Sequence, residues 1–281
     1  MNVNVLTAIS NIVTNQIGEL KDFYESRNRA NSMGEALENY IKDIFANTLL
    51  ESNEKVRVEK LSKTFSYQGN QNNPPDMIIR NGDAIEVKKI ENPRSALALN
   101  SSYPKAKLYA NSRMISAACR NCEEWVKKDI IYSVGVVNKN QLSKLFFVYG
   151  VDYAASAEVY ERIKSVISIG VNSIPDVEFG ETKELGRVNK VDPLGITYLR
   201  IRGMWGIENP AKVFSYVYTP SDNDFEFVAV INTEKYYSFS SDDRISLEKL
   251  IDDCFSISDV KIKDPDNPSN MKDAKLIILR R

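Results

Sequence analysis

Pro74-Pro75-Asp76-Met77-Ile78-Ile79-Arg80-Asn81-Gly82-Asp83-Ala84-Ile85-Glu86-Val87-Lys88-Lys89 is the stretch whose reading decides the fold. Two apolar-rich runs, Met77 to Arg80 and Ala84 to Ile90, flank Asn81-Gly82-Asp83, and turn residues between strand-forming residues predict a β-hairpin. A two-residue turn at Asn81-Gly82 sets Arg80 against Asp83 and Asp76 against Val87, which separates the acids. A three-residue loop with a bulge sets Arg80 against Ala84 and Asp76 against Lys88, with Glu86 on the same face. The second register is preferred because it also sends Met77, Ile79, Ile85 and Val87 together to the opposite face, where they can pack. Chemistry and burial then agree.

Two carboxylates and a lysine on one strand face suit a phosphodiester. Asp76 and Glu86 are hard oxygen ligands of the kind Mg²⁺ takes, with phosphate and water completing its shell. Lys88 can orient a water or offset developing negative charge on phosphate. The same triplet also fits a hairpin whose charged face is merely solvated, and the Pro75-Asp76 opening and consistent register favour the metal-dependent reading.

Composition narrows the chemistry. The 281 residues contain no histidine, which excludes Ser-His-Asp and Cys-His nucleophiles and histidine general bases. A hydrophobic fraction of 43% supports one large domain. Its catalytic core is expected at about residues 28–160, with recognition and C-terminal elements at about 161–281. The net charge of -1 means that nucleic-acid contacts must come from local clusters of Lys and Arg. Cys119, Cys122 and Cys254 form no disulfide framework, and Cys119-x-x-Cys122 without histidine is a poor zinc site, so buried thiols in a reducing cytoplasm are expected. No stretch has the length and apolarity of a membrane span.

Met33, Leu37, Ile41, Ile44 and Phe45 recur with helical periodicity over about Ala30 to Leu49. Glu38 falls roughly 90° from the centre of that stripe and Glu35 about 150°. Glu38 is therefore either a carboxylate aimed into a cleft or half of a surface pair with Lys42. Lys55 to Tyr67 reads as a strand entering the hairpin. Asp129 to Val137 and Leu145 to Asp152 read as buried strands, Ser156 to Ile169 as a helix, and Gly195 to Gly203 and Phe225 to Tyr237 as strands. Ile245 to Asp253 reads as a short helix and Ala274 to Leu279 as a final strand. The predicted fold class is α/β, a central mixed sheet flanked by helices. Lys89 near the end of the second hairpin strand, and Arg94, Asn100, Ser101, Ser102 and Lys105 just downstream of it, carry the groups that phosphate and base-edge contacts use. Arg200 and Arg202 alternate with Leu199 and Ile201, so both arginines share one strand face beside Trp205.

Four segments carry a family resemblance: Ser26-Arg27-Asn28-Arg29-Ala30-Asn31 with Gly34-Glu35-Ala36-Leu37-Glu38, Pro75-Asp76 through Lys88, Leu99-Asn100-Ser101-Ser102-Tyr103-Pro104-Lys105, and Leu199-Arg200-Ile201-Arg202-Gly203-Met204-Trp205. On these the chain resembles the NgoPII-type restriction endonucleases of the PD-(D/E)xK nuclease group, over most of its length. The resemblance implies a restriction-endonuclease-like core, Mg²⁺-dependent cleavage of double-stranded DNA at a specific site, GGCC by family likeness, and 5′-phosphate ends. It assigns Asp76, Glu86 and Lys88 to catalysis, Asp76 and Glu86 to the metal, and Glu38 as a supporting carboxylate. It adds Arg27, Arg29 and Asn31 to the DNA-binding set. A restriction–modification context implies a cognate DNA methyltransferase as genetic partner, and palindromic sites favour a homodimer over a monomer cutting strands in sequence. The competing expectations are a repair or structure-selective nuclease with the same site and a non-catalytic DNA-binding module.

Overall fold

The computed structural model describes residues 3–15, 19–26, 29–30, 32–70 and 73–281. In chain order the helices are α1 Val5–Thr14, α2 Leu20–Glu25, α3 Met33–Ala46, α4 Glu54–Thr64, α5 Ala117–Arg120, α6 Gly150–Tyr153, α7 Ala157–Asn172, α8 Pro210–Val213, α9 Thr233–Ser238 and α10 Ser241–Glu248. The strands are β1 Phe65–Asn70, β2 Asn73–Ile79, β3 Ala84–Ile90, β4 Leu97–Asn100, β5 Lys107–Tyr109, β6 Lys127–Asn138, β7 Gln141–Tyr149, β8 Gly186–Val188, β9 Leu199–Ile201, β10 Trp205–Ile207, β11 Glu226–Asn232, β12 Phe255–Lys263 and β13 Met271–Arg280.

The central sheet runs β1-β2-β3-β6-β7-β11-β13-β12, with β5 added beside β6. β3 and β6 pair in parallel, as do β7 and β11, and the other neighbours are antiparallel, so the sheet is mixed as expected. Both faces are covered. Met77, Ile79, Ile85, Ile131, Phe147 and Phe227 face a core shared with α1, α2 and α3. Ile78, Ala84, Ile130, Tyr132, Phe146, Val148 and Val228 face a second core. Strands buried on both faces read as continuous apolar runs, which is why β6 and β7 are legible in the sequence.

The predicted strand from Lys55 is corrected: Glu54 to Thr64 is a helix, and strand begins only at Phe65. Asn53 caps it, its side-chain oxygen accepting from the Lys55 and Val56 N–H groups. Arg57, Leu61 and Thr64 form the buried helical stripe, while Val58, whose alternation with Val56 mimics a strand, is 55% exposed. Further boundaries move, among them the helix predicted over Ile245 to Asp253, which runs Ser241–Glu248. Regular strand in the Gly195 to Gly203 segment is confined to β9, the predicted strand from Phe225 ends at Asn232 where α9 begins, and Gly150 to Tyr153 is helical. The sequence reading omits β12, an edge strand whose residues are mostly exposed.

α3 is held by a buried charge. Ser32 accepts from the Glu35 N–H at one end, and Asn47 adopts φ 52° at the other. In its last turns Asp43 is fully buried and accepts from Tyr24 Oη at 2.9 Å, Thr48 Oγ1 at 2.5 Å and Arg57 Nε at 2.7 Å. One carboxylate thus ties α2, α3 and α4 together. Removing it leaves the buried Arg57 guanidinium with only the half-exposed Glu54 as a charge partner and takes the acceptor from Tyr24 and Thr48, a change that costs on the order of 3 kcal/mol. Asp43→Ala is expected to lower the unfolding free energy by that amount in urea denaturation. A loss under about 1 kcal/mol would show that the ion cluster is dispensable.

Candidate active site

The hairpin forms with the faces expected and a shifted register. Met77 stands opposite Ile85 and Ile78 opposite Ala84, rather than Arg80 opposite Ala84. The reason lies in the turn. The Ile79 N–H donates to the Asp83 carbonyl and the Gly82 N–H to the Ile79 carbonyl, so Arg80-Asn81-Gly82 forms the loop. Asn81 takes the left-handed conformation, φ 56°. A shift of two residues preserves side-chain parity, so Asp76, Glu86 and Lys88 still share a face, but Asp76 now aligns with Glu86 instead of Lys88.

The β2–β3 ladder ends at Met77–Ile85, and one residue on Asp76 takes over. Its Oδ2 accepts the Val87 N–H at 2.6 Å. β3 is meanwhile paired to β6 along its whole length, Glu86 beside Tyr132 and Lys88 beside Val134. β3 is therefore held on one side by backbone and on the other by the Asp76 side chain.

Burial sets the electrostatics. Glu86 is 8% exposed; its Oε1 pairs with Lys88 Nζ at 2.6 Å, and its Oε2 is buried with no hydrogen-bond partner among the described residues. A buried carboxylate oxygen without a donor is costly, and a cation is the natural group to satisfy it. Burial, together with the charge of Glu86 and a lesser effect of Glu38, pushes Asp76 up to about 7 against the pull of the Val87 N–H and Lys88. Burial presses Lys88 toward neutrality, but Glu86 and Asp76 outweigh it and hold its pKa above the usual lysine value. No cluster of three or more His, Cys, Asp or Glu side chains capable of holding a metal occurs among the described residues. Two carboxylates with coordination positions left for water and phosphate fit Mg²⁺ better than a closed protein cage does. Glu38 pairs with Lys42 at 2.6 Å, as in the surface-pair reading, and is not among the residues lining the cavity into which Asp76 and Glu86 open, although its charge has a minor raising effect on Asp76.

The carboxylates open into a cavity of about 610 Å³ that also takes in Asn100, Ser101, Ser102, Lys105 and Arg202. Two segments far apart in sequence meet there because β4 pairs with β10, Asn100 opposite Trp205. Lys105 is 7% exposed. Its Nζ donates to Ser102 Oγ at 2.8 Å and lies 4.6 Å from the Tyr103 ring centre, and burial lowers its pKa to about 8 despite Glu86 and Glu161. Its backbone crosses the end of β7 at Gly150, where a Cβ would stand 2.2 Å from the Lys105 carbonyl oxygen. A side chain at Gly150 would displace Lys105 from the cavity.

Other expected DNA contacts fall elsewhere. Arg29 is spent inside the fold, donating to Glu54 at 2.9 Å and to the Glu51 carbonyl at 2.9 Å. Its side chain is only 5% exposed, so the long, non-local pairing to Glu54 and Asp43 is what sequence reading misses. Lys89 pairs with Glu91 and Arg94 lies exposed in the following loop, and neither lines the cavity. Arg27 and Asn31 lie outside the described residues. Arg200 lines an adjoining cavity together with Arg113, Lys164, Lys183 and Arg187, four cations the sequence reading does not single out. The alternation of Gly186-Arg187-Val188, matching Leu199-Arg200-Ile201, is the one local signal for Arg187. Cys119 is buried in α5 as expected, whereas Cys122 is half-buried beyond that helix and Cys254 is exposed; no described helix is long and apolar enough to cross a membrane.

The Asp76 shift predicts a pH signature. A group with a folded pKa of about 7 and an ordinary unfolded value near 4 binds its proton more tightly when folded. Its burden on the fold is absent below about pH 4, grows between about pH 4 and 7, and is constant above. In EDTA, Asp76→Asn is therefore expected to match the wild-type Tm near pH 4 and to exceed it progressively up to about pH 7. A constant difference across that range, measured by thermal denaturation, would contradict the assignment.

Comparison with known proteins identifies the family. The family model described as NgoPII restriction endonuclease matches residues 3–263. The chain is 51% identical over 277 residues, 98% of its own length and 99% of the relative's, to the type II restriction enzyme NgoPII of Neisseria gonorrhoeae. No solved structure matches. The chain belongs to the NgoPII restriction endonuclease family.

Proposed function

We propose that this chain is a type II restriction endonuclease that hydrolyses duplex DNA with Mg²⁺ held by Asp76 and Glu86. The observation that carries the reading is the buried, unpartnered Oε2 of Glu86 beside Asp76 and Lys88, at the mouth of a cavity lined by hydroxyl, amide and cationic groups. When bound there, Mg²⁺ supplies Lewis-acid polarisation of the phosphate and lowers the pKa of a coordinated water. The protein supplies the positioning. Glu86 Oε1 fixes the Lys88 ammonium, which orients the attacking water and offsets charge on the phosphorane-like transition state. The Val87 N–H keeps Asp76 turned toward Glu86. Asn100, Ser101, Ser102 and Lys105 offer donors to the phosphate and its neighbours. In-line attack by water on phosphorus expels the 3′ oxygen and leaves 5′-phosphate and 3′-hydroxyl ends.

The proposed site is GGCC, on the strength of the family likeness. A palindromic site cut by one cavity per chain favours a homodimer, each protomer cutting one strand. A cognate DNA methyltransferase in the same cytoplasm would protect the host's own sites. Because β11 and β13 lie in the same sheet as β2 and β3, the chain reads as one domain throughout.

Purified protein incubated with phage DNA and Mg²⁺ is expected to yield discrete fragments, lost in EDTA and in Asp76→Ala. A smear, or cutting unaffected by EDTA, would overturn the reading. Lys88→Ala is expected to retain DNA binding while its single-turnover cleavage rate falls on the order of 10²–10⁴-fold. Cleavage at the wild-type rate would remove Lys88 from catalysis.

A further inference from the structure

β8 and β9 form a two-stranded ribbon separate from the main sheet, with Gly186 opposite Ile201, Arg187 opposite Arg200 and Val188 opposite Leu199. Arg187 and Arg200 therefore project from the same face, directly across from one another, and Arg202 follows two residues on from Arg200. Like charges directly opposed across a strand pair are destabilising. Packing does not require an arginine at position 200, since Leu199 and Arg200 are exposed. The ribbon is nonetheless firmly seated. The Leu185 carbonyl accepts from Ser168 Oγ at 2.9 Å and from Asn172 Nδ2 at 3.1 Å on α7, and a Cβ at Gly186 would stand 2.8 Å from Val171.

The arginines meet a single carboxylate. Arg200 grips Glu184 with both arms of its fork, Nε to Oε2 at 2.9 Å and Nη2 to Oε1 at 2.6 Å. Arg202 Nε adds a third contact at 2.7 Å. This planar bidentate geometry is the one arginine uses on the O6 and N7 edge of guanine. Arg187 has no such partner among the described residues: its guanidinium lies 4.5 Å from the Tyr198 ring centre, and its buried Nε makes no hydrogen bond to any of them. The ribbon borders a cavity of about 460 Å³ lined by six cations, Arg113, Lys164, Lys183, Arg187, Arg200 and Arg202, against the one carboxylate of Glu184. Asn73, Ser101, Met114 and Arg202 line both this cavity and the catalytic one, so the two are continuous. An excess of cations beside a phosphodiester-cutting site is an electrostatic footprint for DNA.

We propose that the β8–β9 ribbon is the base-reading element of this chain, that Arg187 is a specificity-determining residue on it, and that Glu184 is an internal stand-in for DNA that releases Arg200 and Arg202 when the correct bases arrive. A two-stranded ribbon fits the major groove, where guanine presents two acceptors to an arginine fork. Glu184 makes that engagement conditional. Each wrong sequence must break three charge-assisted contacts without replacing them, so the carboxylate costs non-specific binding more than specific binding. The inference rests on the reading of the chain as a site-specific endonuclease.

The test measures fluorescence anisotropy with Ca²⁺ in place of Mg²⁺ on two labelled duplexes, one containing the site mapped from wild-type cleavage and one with that site scrambled. Arg187→Lys keeps the charge and loses the fork. It is expected to weaken binding to the site duplex about 10-fold or more and to the scrambled duplex less than about 3-fold. Glu184→Gln is expected to strengthen binding to the scrambled duplex about 5-fold or more and to narrow the ratio between the two. Arg187→Ala, checked for an unchanged Tm, provides the second variant at that position. Equal losses on both duplexes would make Arg187 a phosphate contact and overturn its reading role; unchanged binding by Glu184→Gln would overturn the stand-in. A wild-type protein that neither cuts at a site nor separates the two duplexes would instead overturn the endonuclease reading, and the ribbon proposal with it.

Discussion

The 2.6 Å hydrogen bond from the Val87 N–H to Asp76 Oδ2 is the contact on which the site depends. A β-ladder that continued past Met77 and Ile85 would place backbone where the carboxylate stands. The ladder stops instead, and the acid side chain closes the gap. One strand partner is thus exchanged for a functional group at the point where two acids must meet. The parallel pairing of β3 with β6 fixes Glu86 and Lys88 from the other side. Position therefore comes from backbone geometry, and the side chains lose little freedom when they engage a substrate.

Placing two carboxylates together in a buried face is costly, and the charges around them show how that cost is contained. Lys88 takes one oxygen of Glu86, the Val87 N–H takes one of Asp76, and Asp76 is left with a pKa near neutrality. The remaining oxygen of Glu86 is unsatisfied. Such an arrangement is unfavourable alone and favourable around a divalent cation, which is how an active site stores binding energy for its cofactor. The same logic recurs at the β8–β9 ribbon, where Arg200 stands opposite Arg187 and shares the carboxylate of Glu184 with Arg202.

Much of this was legible in the sequence, for identifiable reasons. The period-2 alternation of Met77, Ile79, Ile85 and Val87 specifies which face is buried, and the Asn81-Gly82 pair specifies a turn. Their combination places the acids on one face even though the register is shifted by two residues, because an even shift leaves parity intact. The stripe from Leu37 to Phe45 gives α3, and Glu38 falls at its edge as the wheel requires. What escapes is non-local. The pairing of Asn100 with Trp205, the burial of Arg29 against Asp43 and Glu54, and the opposition of Arg187 to Arg200 join residues tens of positions apart or separated by irregular chain. α4 was open to misreading because Val56 and Val58 alternate like a strand, while its helical signal resides in the Asn53 cap and the spacing of Arg57, Leu61 and Thr64.

The paired carboxylates as the seat of the metal are the centre of this account, and anomalous diffraction from crystals soaked in Mn²⁺ tests that most directly. The account predicts an anomalous peak between Asp76 and Glu86, adjoining the oxygen of Glu86 that has no protein partner. Saturating Mn²⁺ that leaves this position empty, or that binds only at a site remote from both carboxylates, would contradict it.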